Sequence, residues 1–165
     1  MKIDTGMIAE KYKNSLFSAA FSICRNAADA DDVVQDTLIQ YHTAVKEFES
    51  EEHIRAWLLR VAINKAKNLS LSVFRKAGVP LEDYMDTLVF ETPESRGLME
   101  EVLKLPEKYR IVVHLFYYEE YSVKEIAEIL HTGESNVKVR LSRARKKLKE
   151  VLQEAWEDDD ESGKI

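Results

Sequence analysis

A chain of 165 residues, 45% apolar and 33% charged, has the composition of a globular protein and room for one domain or two small ones. With a formal charge of −6 it is acidic overall, so any anion-binding surface has to be local. The opening MKIDTGMIAEKYKN lacks the apolar core of a signal peptide and no later run approaches a membrane span, which predicts a cytoplasmic protein. Cys24 is the only cysteine, so an intrachain disulfide is excluded, and Phe21 and Ile23 beside it predict a small buried hydrophobe. His42, His53, His114 and His131 lack metal-ligand spacing, so neither a metal nor a cofactor is expected. With no glycine-rich phosphate loop and no nucleophile–base constellation either, the chain is not expected to be an enzyme.

From Thr5 to Cys24, Ile8, Tyr12, Leu16, Ala19, Ala20 and Ile23 recur every three or four residues, predicting an amphipathic helix. After an interruption at Asn26 to Asp29 comes DADDVVQDTLIQYHTAVKEF. Its early Asp29, Asp31 and Asp32 complement the positive end of a helix dipole, and Val34, Leu38, Tyr41 and Val45 form the expected inward stripe. That stripe leaves Asp32, Gln35, Asp36, Ile39 and Gln40 on an outer face, where an apolar residue among acids and amides is a candidate docking surface. Glu47 to Glu52 reads as a polar loop. A helix from about His53 to Leu71 then carries Ile54, Trp57, Leu58, Val61 and Ala62 on one side, with Trp57 as a core anchor. Arg55, Arg60, Asn64, Lys65, Lys67 and Asn68 supply cations and amides on the other, a pattern suited to a single nucleic-acid strand. Residues 73–94, with Gly78, Pro80 and Pro93, read as a linker, and LEDYMDTLVF within it is a candidate for a transient helix.

Helix signals resume with Leu98, Val102 and Leu105, and Pro106 marks a new start carrying Tyr109, Val112, Val113 and Phe116. Ser122 followed by Glu125 is a capping box, opening a short helix with Val123, Ile126, Ala127 and Leu130 on one face. A second helix, starting near Thr132 or Gly133, is expected to bury Val137, Leu141, Ala144 and Leu148. Its charged residues from Ser135 to Lys149 are Lys138, Arg140, Arg143, Arg145, Lys146, Lys147 and Lys149, with no acid among them. A capped short helix followed by a cationic one is the pattern of a helix-turn-helix, whose second helix enters the major groove. Groove curvature makes Ser135, Asn136, Lys138, Val139 and Arg140 the candidate base readers, with Arg143 at the margin and Lys146 and Lys147 on phosphates. Residues 154–165 form an acidic tail.

The stretch from Leu105 to Leu148, with EIAEIL and then VKVRLSRARKKL, resembles region 4 of sigma-70-family RNA polymerase sigma factors, although His131, Thr132 and Gly133 and then Ser135 and Asn136 depart from its common turn. DADDVVQDTLIQYHTAVKEFES followed by IRAWLLRVAINKAKN resembles region 2 of the same family. The two stretches stand in the family's order and cover about two thirds of the chain. The resemblance implies a minimal, extracytoplasmic-function type factor: an all-α protein of two small helical modules, residues 1–72 and 95–153. It implies that Asp32, Gln35, Asp36, Leu38 and Ile39 bind core RNA polymerase at the clamp coiled coil of its largest subunit. It further implies that the segment Phe48 to Arg55 captures a base of the −10 element, and that Arg55, Arg60, Asn64, Lys65 and Asn68 contact the melted strand. Promoter DNA and core polymerase are the implied partners, and an anti-sigma factor holds many relatives. The competing expectation is a free-standing helix-turn-helix regulator whose N-terminal half senses a ligand or dimerises.

Overall fold

The computed structural model describes residues 1–74 and 93–156; the side chains of 70–74, 93–96, 99 and 151–156 are left aside. The expected transient helix in the linker and the end of the acidic tail lie outside the described residues. Those described form seven α-helices and one π-helical turn, with no strand among them. In chain order they are α1 (Thr5–Cys24), α2 (Ala27–Thr43), α3 (Glu51–Phe74), α4 (Pro93–Lys104), α5 (Glu107–Val113), the π-turn (His114–Tyr118), α6 (Val123–Leu130) and α7 (Glu134–Trp156). Contacts divide the chain into two compact units, the first built on α1–α3 and the second on α4, α5, the π-turn and α7.

In the first unit α1 starts at Asp4, whose carboxylate accepts the Met7 N–H (3.3 Å), and stops at Arg25, which adopts the left-handed conformation and returns its N–H to the Phe21 carbonyl. Its expected stripe is buried throughout. Full burial of Ile8, Leu16 or Ile23 each contributes about 1.5–3 kcal/mol relative to an exposed side chain. Asn26 caps α2 by accepting the Asp29 N–H (2.9 Å), so the helix begins two residues before the aspartate run.

Three expectations about α2, α3 and the loop between them need correction. Val45 is not in the inward stripe: α2 ends at Thr43, Ala44 is extended, and Val45 is fully exposed. The buried set is Ala30, Val33, Val34, Thr37 and Tyr41, with Leu38 half-buried. On α3 the buried residues are Ile54, Leu58, Leu59, Ala62, Ile63 and Ala66, while Trp57 and Val61 are only partly covered. The reason is that α3 packs on both α1 and α2, so it needs a broad apolar face rather than one stripe. The loop before it is also displaced from 47–52 to 44–50, because the Ser50 hydroxyl accepts the His53 N–H (3.1 Å) and starts the helix at Glu51.

In the second unit Val102, Leu105, Tyr109, Val113 and Ala144 form the core, with Leu98 and Leu148 packed against it. Pro106 opens α5, its carbonyl accepting the Arg110 N–H (3.1 Å). The π-turn closes with the Glu119 N–H on the His114 carbonyl (3.1 Å). Its wider coil stacks the buried His114 ring on Tyr118 (centroids 5.4 Å apart) and leaves Tyr117 and Tyr118 exposed. The last helix is longer than its pattern suggested and runs to Trp156, beyond the start of the expected tail.

Candidate functional site

The outer face of α2 follows from its period of 3.6 residues: with Ala30, Val33, Thr37 and Tyr41 turned inward, Asp32, Gln35, Asp36 and Ile39 emerge together. Ile39 is 61% exposed, an uncovered apolar side chain among carboxylates and amides. Asp32, Gln35 and Asp36 also line an open cleft of about 400 Å³ with Lys65, Asn68 and Leu69 of α3. The five residues expected to meet a single strand therefore do not share one face. Arg60 and Asn64 stand exposed one turn apart, while Lys65 and Asn68 turn toward α2. Arg55 is half-buried on a third side, its guanidinium 3.9 Å from Glu52. At about 100° per residue, a set spaced 60, 64, 65, 68 has to fan out around a helix.

The 44–50 loop is fixed from both flanks. Phe48, inside the segment expected to capture a base, is buried instead, its ring 5.7 Å from Tyr41, 5.3 Å from His53 and 5.5 Å from Trp57. It is the anchor of the loop, and Val45, Lys46, Glu47, Glu49 and Ser50 remain exposed. His53 Nδ1 accepts the Glu49 N–H (3.0 Å). At the start of α3 the Glu51 carboxylate accepts from Lys11 Nζ and from the Tyr12 hydroxyl (2.6 Å). Those two bonds, Lys11 first, hold its carboxyl below the usual range, and burial pushes the Tyr12 phenol up.

In the C-terminal half the capping box is present in both directions: the Ser122 N–H donates to Glu125 Oε1 (3.0 Å) and the Glu125 N–H to Ser122 Oγ (3.1 Å). At the other end of α6, His131 takes the left-handed conformation (φ 53°) and the Thr132 N–H bonds back to the Ala127 carbonyl (3.0 Å). The turn is therefore made by His131 at the position glycine usually fills, and Gly133 serves as first acceptor of α7 through the Val137 N–H (3.2 Å). On α7, Val137, Leu141 and Ala144 are buried as expected. Ser135, Asn136, Lys138, Val139, Arg143, Lys146 and Lys147 are exposed, and Arg140 is partly so. The Asn136 amide donates to Thr132 Oγ1 (3.0 Å), which steadies the first turn.

Arg145 behaves differently from its cationic neighbours. Its Nε donates to the Tyr117 hydroxyl (2.6 Å), and its guanidinium lies 5.4 Å from the Phe116 and 5.7 Å from the Tyr117 ring centres. That latch could not be foreseen, since its partners are 28 residues away in sequence and are aimed by the π-turn. Among the described residues no group of His, Cys, Asp or Glu could hold a metal ion, and no helix is long and apolar enough to cross a membrane.

A three-helix unit with an acid–amide face, and a C-terminal half that carries a capped helix, a tight turn and a cationic helix, define an all-α protein with a helix-turn-helix. The Sigma-70 region 2 family matches residues 8–76 and the Sigma-70, region 4 family residues 95–148. The chain belongs to the sigma-70 family of RNA polymerase sigma factors and is of the extracytoplasmic-function type. Among its relatives is the ECF RNA polymerase sigma factor SigW of Bacillus subtilis, 28% identical over 89% of this chain and 88% of that protein. The fold is similar to that of the sigma factor RpoE from Bartonella quintana, solved with the anti-sigma factor NepR (TM-score 0.71, 22% identity, 90% of this chain and 96% of that one). It is similar also to CnrH, solved with the cytosolic domain of CnrY (TM-score 0.64, 28% identity, 90% and 87%).

Proposed function

We propose that this sigma factor works in the cytoplasm, catalyses nothing itself, and directs core RNA polymerase to promoters through three surfaces. The observation that carries the reading is the separation of opposite charge onto two units: an acid and amide face around Ile39 on α2, and an exposed cationic face on α7 with no acid between Ser135 and Lys149. The α2 face, with Asp32, Gln35, Asp36, Leu38 and Ile39, takes the clamp coiled coil of the largest polymerase subunit. On α7, Ser135, Asn136, Lys138, Val139 and Arg140 read base edges of the −35 duplex, Arg143 stands at the edge of the groove, and Lys146 and Lys147 bind phosphates.

The exposed part of the 44–50 loop takes a −10 base, and Arg60 and Asn64 hold the adjoining strand, with Arg55, Lys65 and Asn68 at its margins. Residues 1–72 then serve polymerase and the −10 element, and 95–153 the −35 element. One solved neighbour carries the anti-sigma factor NepR and the other the cytosolic domain of CnrY, which supports an inhibitor of the NepR kind here. A free-standing regulator is disfavoured, because both family regions stand in order on one chain.

Run-off transcription with core polymerase and a genomic fragment library tests the reading. Discrete start sites sharing upstream elements at two fixed spacings are expected. A chain that binds DNA fragments but never co-purifies with core polymerase would return the choice to the free-standing regulator.

A further inference from the structure

Why α2 stops at Thr43 is not written in its own neighbourhood, which holds no glycine or proline. The cause comes from the far end of the chain. Lys2 Nζ donates to the carbonyls of His42 (3.0 Å) and Ala44 (2.6 Å), taking two acceptors freed where the helix ends. The same ammonium lies 5.2 Å from the centre of the Tyr41 ring. One residue on, the Tyr41 hydroxyl accepts the Ile3 N–H (2.9 Å) and donates to the Ile3 carbonyl (2.7 Å). Thr5 Oγ1 then pairs with His42 Nδ1 (2.9 Å). Residues 2–5 thus lie along the C-terminal turn of α2 and are fastened to it at three points.

That fastening continues into the loop, where the Met1 ammonium pairs with the Glu47 carboxylate and donates to the Phe48 carbonyl (3.1 Å). Ala44, which Lys2 holds, precedes the fully exposed Val45, and Phe48, on which Tyr41 packs, closes the loop from below. Tyr41 therefore touches both the N-terminal segment and the loop's anchor. A tip held at both ends and bare at Val45 and Lys46 is preorganised, so a ligand meeting those two residues has little ordering left to impose. A helix cap alone would need only Lys2 on one carbonyl; the two-way bond between Tyr41 and Ile3 fixes direction as well.

We propose that the Lys2–Thr5 segment is a strap that sets the position of the Ala44–Glu47 turn, and that Lys2 and Tyr41 are positioning residues for recognition of the −10 strand. The proposal rests on the reading above that this loop faces the −10 element. Neither residue touches DNA; each acts through the turn it holds.

The test is run-off transcription by the full-length protein with core polymerase on templates varied singly at each −10 position, and in parallel at each −35 position. Lys2→Met keeps the apolar stem and removes the ammonium, Tyr41→Phe keeps the ring and removes the hydroxyl, and Lys2→Arg restores the cation. Lys2→Met and Tyr41→Phe should each flatten −10 discrimination by about three- to tenfold, an expected loss of preorganisation. The −35 preference and affinity for core polymerase should stay at wild-type level, and Lys2→Arg should recover the discrimination.

Val45→Ser with Lys46→Ala separates the two readings. If that loop variant flattens −10 preference while Lys2→Met leaves it intact, the strap is refuted and the loop assignment stands. If the loop variant changes nothing, the loop assignment fails and takes the strap with it. Equal loss on every template from Lys2→Met would also overturn the proposal, as the mark of a merely structural cap.

Discussion

Arg140 and Lys147 lie on one helix about two turns apart, and the proposed reading gives them different tasks because a straight helix leaves a curved groove within that length. An arginine bidentate to guanine supplies about 1–3 kcal/mol of discrimination, whereas a lysine on phosphate adds affinity for any sequence and about one unit of salt slope. Arg140→Ala should flatten preference at one or two base pairs of a randomised −35 library, and Lys147→Ala should weaken every member alike with a shallower dependence on salt. Equal loss on all sequences from Arg140→Ala would remove it from the readers. Arg145 belongs with neither. Held by Tyr117 and the Phe116 ring, it stabilises the second unit. Arg145→Ala should cost about 1–2 kcal/mol in thermal unfolding, from a cation–π contact and one charge-assisted hydrogen bond, and leave −35 preference as it was.

The eight-residue α6 is opened by a reciprocal cap. Ser122→Ala removes one of two reciprocal cap bonds and should lower stability by about 1 kcal/mol, read from a denaturation midpoint. At the start of α3 the effect depends on pH. Glu51 has its folded pKa lowered by Lys11 and Tyr12, so its contribution is present above the ordinary carboxylate value and is lost as pH falls through the lowered one. The stability gap between wild type and Glu51→Gln should therefore be open near neutrality and close as pH falls through that lowered value, as acid titration followed by circular dichroism would record. A gap that persists in acid would assign the effect to packing.

The elements also mark how far the sequence could be read. The α1 stripe, the capping box and the buried positions of α7 were all legible, because each is decided within a few residues by periodicity or by one polar pair. Val45 was misplaced for the converse reason: it stands seven residues after Leu38, a good helical interval, and what ends the helix first is a lysine 42 residues away from Ala44. Phe48 reads locally as part of a polar loop, and only the rings of Tyr41, His53 and Trp57 reveal it as an anchor. The Arg145 latch and the half-turned Lys65 and Asn68 escaped for the same cause, since spacing gives a side chain's angle around its helix but not the neighbour it meets.

For the molecule as a whole, the acidic face proposed to dock and the cationic face proposed to read sit in separate units, so substitutions in one should add to, and not couple with, substitutions in the other. Asp36→Arg with Ile39→Arg should abolish co-purification with core polymerase and all transcription, yet leave helical content and the preference of α7 for its −35 duplex in place. Retention of core at wild-type level would displace the docking surface from α2. The net charge of −6 works in the same direction, because the acidic remainder of the chain disfavours contact with phosphates away from the local cationic patches.

The aromatic cluster beneath the 44–50 loop has an optical consequence. Of the two tryptophans, Trp57 lies 5.5 Å from the Phe48 ring and 6.2 Å from the Tyr41 ring, while Trp156 is the last residue of α7. In a Trp156→Phe background Trp57 is the sole indole, so the wavelength and intensity of its emission would report, without any added label, a change in the packing around it when a promoter strand arrives.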